Sequence, residues 1–185
     1  MTCSASKDRS CVEHALIIEA TVKVRSLAFT VASFQVLLSY MPLPSFDERG
    51  DLPEGVHPAS LEEVLVRFGH DTPQRQLVAA RLAHIYELAQ GTGKLERFVV
   101  FGSFVTAKPE PNDVDIILVM RDDFGEEDYE PDVFPVFDHL RAQRELGASL
   151  FVIRPAFIIG ESVDEFIEHW QIKRDSKRRG IVEVV

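Results

Sequence analysis

The stretch Arg97-Phe-Val-Val-Phe-Gly-Ser-Phe-Val-Thr-Ala-Lys-Pro-Glu-Pro-Asn-Asp-Val-Asp-Ile-Ile-Leu-Val-Met120 decides how this chain folds. Two apolar runs, Phe98 to Phe101 and Val114 to Met120, flank a turn built from Gly102-Ser103 and the Pro-rich Lys108 to Asn112. Short apolar runs bounded by Gly, Pro and Asn predict strand, turn, strand. Asp113 and Asp115 stand at the mouth of the second strand with one residue between them. The period-two alternation of a strand therefore sends both carboxylates to one face.

Two carboxylates held that close resist joint ionisation unless a cation or solvent screens them. A hard divalent ion suits them. Mg²⁺, or Mn²⁺ in its place, takes oxygen ligands and is commonly held by one or two carboxylates together with substrate phosphates. Gly102 lets the backbone turn and approach a ligand, and the amides and the Ser103 hydroxyl that follow can donate to phosphate oxygens. Lys108, in the same turn, is either a point charge for those phosphates or an exposed loop residue. Ordinary turn chemistry also uses these residue types, because Asn and Asp cap turns through their own backbone.

The Gly-Ser pair, nine intervening residues and then Asp-x-Asp at the start of an apolar strand resemble the nucleotidyltransferase superfamily of DNA polymerase beta type. The longer pattern G-S-F-V-T-x-K-P-x-P-N-D-x-D is similar to an uncharacterised family of small bacterial nucleotidyltransferase-like proteins. The upstream L-P-x-G-x-H-P-A-x-x-E-E and the basic ending before Gly180-Ile181-Val182 extend the likeness over roughly Met41 to Val185. The resemblance implies a minimal nucleotidyltransferase fold, an α/β (α+β) domain with a mixed β-sheet and helices on one face. It implies that Gly102 and Ser103 bind a nucleoside triphosphate and that Asp113 and Asp115 are the catalytic metal ligands. The acceptor would be a protein side chain, a tRNA end or a small molecule such as an aminoglycoside. Relatives of this size in bacteria often belong to toxin-antitoxin or defence pairs, which implies a cognate partner protein. The alternative is a non-catalytic binding or regulatory protein, such as an antitoxin. Favouring it, Ser149 stands where the superfamily usually has a third metal-binding carboxylate, leaving Glu145 or Asp138 as the nearby substitutes.

At 185 residues, with 45% apolar and 27% charged content, the chain is long enough for one globular domain and too short for two full ones. Its net charge of −10 argues against a broad grip on nucleic acid, which draws most of its affinity from Lys and Arg. The two cysteines, Cys3 and Cys11, lie outside the motif and support neither a disulfide framework nor a Cys-rich zinc site. A cytoplasmic protein is expected, with no membrane partner. The apolar run Ser26 to Met41 superficially resembles a signal sequence but is interrupted by Gln35 and is too short to span a bilayer. Residues 1–40 read as an extension, either non-native or poorly ordered, and 41–185 as the domain.

Pro42 to Pro58 reads as an extended arm, in which His57, beside Pro58, is a solvent-exposed or turn-bonded residue rather than a substrate ligand. Ser60 with Glu63 predicts a capping box opening a helix that Gly69 ends. Thr72-Pro73 opens a longer helix with an apolar stripe of Leu77, Ala80, Leu82, Ile85, Leu88 and Ala89, His84 packing beside it, and Gly91-Thr92-Gly93 ending it. The acidic segment Asp122 to Asp132 reads as a solvated loop, with a second metal-binding surface or a nucleic-acid mimic as the alternative. Val133 to Leu146 predicts a helix, Ala148 to Ile153 a buried strand and Ser162 to Trp170 a last helix. Lys173, Arg174, Lys177, Arg178 and Arg179 then form a basic cluster that is either solvated or able to steer a triphosphate or an RNA end.

Overall fold

A computed structural model of the chain describes residues 43–125 and 134–185. The expected extension over 1–40, with its signal-like run, lies outside the described residues, as does most of the acidic segment, 126–133. The elements, in order, are β1 (Val56–Ala59), α1 (Leu61–Phe68), α2 (Pro73–Gly91), β2 (Leu95–Phe101), β3 (Val114–Met120), α3 (Phe134–Phe137), α4 (His139–Arg141), β4 (Ala148–Ile153), α5 (Val163–His169) and β5 (Ile181–Val184). Among the described residues the five strands form one mixed sheet in the order β1-β5-β2-β3-β4. β2 and β3 pair antiparallel, as a strand-turn-strand unit must, whereas β1 with β5 and β3 with β4 run parallel. The α/β class expected from the sequence is the one observed.

Local chemistry sets the helix ends. Ser60 and Glu63 close a reciprocal capping box at α1, and Ser162 and Glu165 close another at α5. Thr72 caps α2, with Pro73 as its first residue. The predicted helix over Val133 to Leu146 is broken: Asp138 ends α3 and caps α4, which runs into a π-turn over Ala142–Leu146 closed by left-handed Gly147.

Strand alternation gives the sheet two different faces. Phe98 and Val100 of β2, Ile116, Leu118 and Met120 of β3, Leu150 of β4 and Val182 of β5 turn to one face and pack against α1 and α2. Val99, Ile117, Val119 and Ile181 turn to the other, where Ile167 of α5 and the adjoining Trp170 cover them. The last helix thus departs from the expectation that the helices share one face. It crosses back because β5 must return between β1 and β2. Arg97 locks that crossing: it grips Glu183 of β5 through Nε at 2.6 Å and Nη2 at 2.7 Å and reaches Asp164 of α5 at 2.5 Å. The α2 stripe is also rotated from the expected one. Val78, Ala79, Leu82, Ile85 and Ala89 are buried, whereas Leu77, Ala80 and His84 are exposed. Among the described residues no helix is long and apolar enough to cross a membrane.

Candidate functional site

β3 opens on the second face. Asp115 pairs with Phe101, the last residue of β2, so its side chain stands beside the turn that follows. Gly102 occupies that turn with φ of 80°, and a Cβ there would overlap the Asp115 carboxylate. Only glycine meets both demands without strain. Asp113, two residues earlier, approaches from the same side: the Ser149 hydroxyl donates to its Oδ2 at 3.3 Å, and its charge acts on Asp115. The structure therefore brings Asp113, Asp115 and Gly102 together, with Ser103 partly exposed immediately after the turn.

The loop between the turn and the acids is held from beneath by α2, a feature the sequence reading missed. Arg75 is 3% exposed and donates to four carbonyls: Phe68 at 2.7 Å, Phe104 at 3.0 Å, Thr106 at 2.5 Å and Lys108 at 2.6 Å. Gln74 Nε2 donates to the Pro111 carbonyl at 2.8 Å, and the Thr72 hydroxyl donates to that of Pro109 at 3.1 Å. Above them the Thr106 hydroxyl donates to the Ser103 carbonyl at 2.8 Å. The signal was available: a cation in the first turn of a helix opposes the helix dipole and needs a reason. Lys108 is exposed, and it is its carbonyl that the fold uses.

Electrostatics mark Asp115. Burial, and after it the Asp113 charge, push its carboxyl up to about 6, against the opposing pull of Arg179, the Ser149 hydroxyl and Arg174. A carboxylate so placed favours a neutralising cation. Ser149 is the Cα partner of Asp115 across the parallel β3-β4 pair, so the position marked by the resemblance for a third carboxylate does face the acids, carrying a hydroxyl. Neither substitute reaches in. Glu145 pairs with Arg141 at 3.0 Å, and the Asp138 carboxylate accepts from the Arg141 amide to cap α4. Among the described residues no three His, Cys, Asp or Glu side chains converge. His57 stands in β1 and not in a turn, and its ring bonds the Pro53 carbonyl at 2.7 Å.

A model of a family of unknown function, DUF6932, matches residues 44–185. The chain belongs to that family. The match takes in every described element, and with it the turn, the acid pair, Ser149 and the basic segment. No curated protein and no solved structure matches the chain.

Proposed function

We propose that this DUF6932 member is a metal-dependent nucleotidyltransferase, with Asp113, Asp115, Gly102 and Ser103 as its working residues. One observation carries the reading: two carboxylates share a face and one lies directly against a left-handed glycine at a strand end. The donor set fits Mg²⁺ or Mn²⁺, being all oxygen, and burial, with the Asp113 charge after it, makes the ionised Asp115 carboxylate one that a cation would relieve. When bound, such an ion would neutralise charge on the phosphates being transferred.

The chain's own part is positioning. Asp113 and Asp115 hold the cation, and the Gly102-Ser103 amides and hydroxyl hold the outer phosphates of a nucleoside triphosphate. In the transfer, an acceptor hydroxyl oxygen bonds to the α-phosphorus and the bond to the bridging oxygen breaks. Pyrophosphate leaves and the hydroxyl proton passes to solvent. Arg75 keeps the loop in place without touching the substrate.

A second reading, nucleotide binding without transfer in a regulatory or antitoxin role, is favoured by Ser149, since a neutral hydroxyl holds a second cation poorly. One experiment separates the two. The protein is incubated with labelled nucleoside triphosphates and Mg²⁺ or Mn²⁺ over protein, tRNA and aminoglycoside acceptors, beside Asp113→Ala and Asp115→Ala. Transfer predicts pyrophosphate and labelled product from the wild type alone. Binding without turnover supports the regulatory reading, and the absence of both removes nucleotide chemistry altogether.

A further inference from the structure

Five cations crowd the seven residues from Lys173 to Arg179, and the fold sorts them. Lys173 Nζ lies 2.8 Å from the Asp51 carboxylate, which is 6% exposed, Arg178 pairs with Glu54, and Lys177 lies 3.9 Å from Asp175. Arg174 and Arg179 have no carboxylate partner among the described residues. These same two act on Asp115. The Nε atoms of Arg178 and Arg179 are both buried without a hydrogen bond, but Arg178 has the Glu54 carboxylate beside it and Arg179 has no such partner among the described residues. A buried cationic N–H left without an acceptor costs free energy, which an accepting anion would recover.

Strand register gives the reason for their nearness. β5 pairs antiparallel with β2 through Val182 and Val100, so the start of β5 at Ile181 lies by the end of β2 at Phe101, next to the Gly102 turn, and Arg179 enters β5 from two residues before it. Ile181 turns to the second face, as Ile117 does. Asp115, two residues before Ile117 in β3, shares that face, and Arg179, two residues before Ile181, lies near enough for its charge to act on Asp115. The turn thus has acids on its β3 flank and arginine on its β5 flank. The backbone entering this position is pinned. The Arg179 amide donates to the Gln171 carbonyl at 3.0 Å, the Gly180 amide donates to that of Leu52 at 2.8 Å, and a Cβ at Gly180 would overlap the Pro53 carbonyl.

We infer that Arg179, assisted by Arg174, is the polyphosphate-binding arm of this site, holding the anionic tail across the Gly102-Ser103 turn from Asp113 and Asp115. The inference rests on the nucleotide reading above and adds the group that meets the outer phosphates. In a chain of net charge −10, two unpaired arginines beside an acid pair form a local positive patch within a repelling surface. That arrangement admits a polyanion at one place and discourages it elsewhere. A guanidinium suits the task because its fork binds phosphate oxygens in pairs.

The test uses the full chain and two probes, inorganic tripolyphosphate with Mg²⁺ and Mn²⁺ alone, titrated calorimetrically. Arg179→Ala is expected to weaken tripolyphosphate binding by about tenfold or more, Arg174→Ala by less, and Arg179→Lys to restore part of the loss. Affinity for Mn²⁺ alone should hold or rise, because a repelling cation has gone from beside the acids. Should Arg179→Ala fail to fold, exposed Arg174→Ala decides by the same measurement. Tripolyphosphate affinity unchanged in these variants overturns the arginine assignment and leaves the nucleotide reading standing. A wild type that binds no tripolyphosphate with Mg²⁺ overturns both.

Discussion

Arg75 and Asp115 lie on opposite sides of the same loop, and their surroundings are opposite in kind. Arg75 is a buried cation whose charge is met by four carbonyl oxygens. Asp115 is a largely enclosed anion that sits beside a second anion, with a hydroxyl and two arginines as partial relief. The first arrangement is what stability asks of a buried charge. The second is tolerated at a loss, and charged groups held at a loss cluster at functional sites. The inner side of the loop is thus a support and the outer side the proposed site, and mutations on the two sides should move stability in opposite directions.

The largest effect belongs to the support. Arg75→Met strands the carbonyls of Phe104, Thr106 and Lys108 and should cost about 3 kcal/mol in urea unfolding at pH 7. A loss under about 1 kcal/mol would break the comparison. Asp115→Asn should do the reverse. Its folded value of about 6 stands above the ordinary 3.8, so the folded state binds the proton more tightly and the penalty for ionisation sets in as pH rises between those values. The substitution should stabilise the protein by on the order of 2 kcal/mol at pH 8, and the gain should shrink as pH falls from 6 toward 4. An equal gain at pH 5 and pH 8 would remove the electrostatic explanation.

Gly102→Ala sharpens the contrast, because it acts on both sides at once. An alanine at φ of 80° is strained, and its methyl meets the Asp115 carboxylate. A loss of about 1–2 kcal/mol is expected in thermal unfolding, together with loss of cation-dependent nucleotide binding. Lys108→Ala comes last. The loop uses the carbonyl of this exposed residue, so the change in stability should stay within about 0.5 kcal/mol, read in the same unfolding assay.

What was legible in the sequence was local. The β3 boundaries, the capping box at Ser60 and Glu63 and the Thr72-Pro73 start of α2 are written within a few residues of where they act. The face of Asp115 followed from alternation, whereas Asp113 stands just before β3 and is brought beside it with the Ser149 hydroxyl between the strands. What escaped depends on partners distant in the chain. The tail Ile181–Val184 becomes a central strand only because β1, a four-residue segment containing Pro58, supplies its outer neighbour. The Pro fits there as β1 lies at the sheet edge. The phase of α2 was misread because Leu77 and Ala80 are as apolar as Val78 and Ala79, and the buried Arg75 that sets the true phase reads from sequence as a solvent residue. The same non-locality hid the split among the basic residues, since Asp51 and Glu54 lie more than a hundred positions from their partners.

The most direct measurement is a titration with a non-hydrolysable nucleoside triphosphate, with and without Mn²⁺, on the wild type and Asp115→Asn at pH 8. The account predicts Mn²⁺-dependent binding by the wild type and none by the variant, although the variant is the more stable of the two. Equal binding by both proteins, or binding indifferent to Mn²⁺, would contradict it.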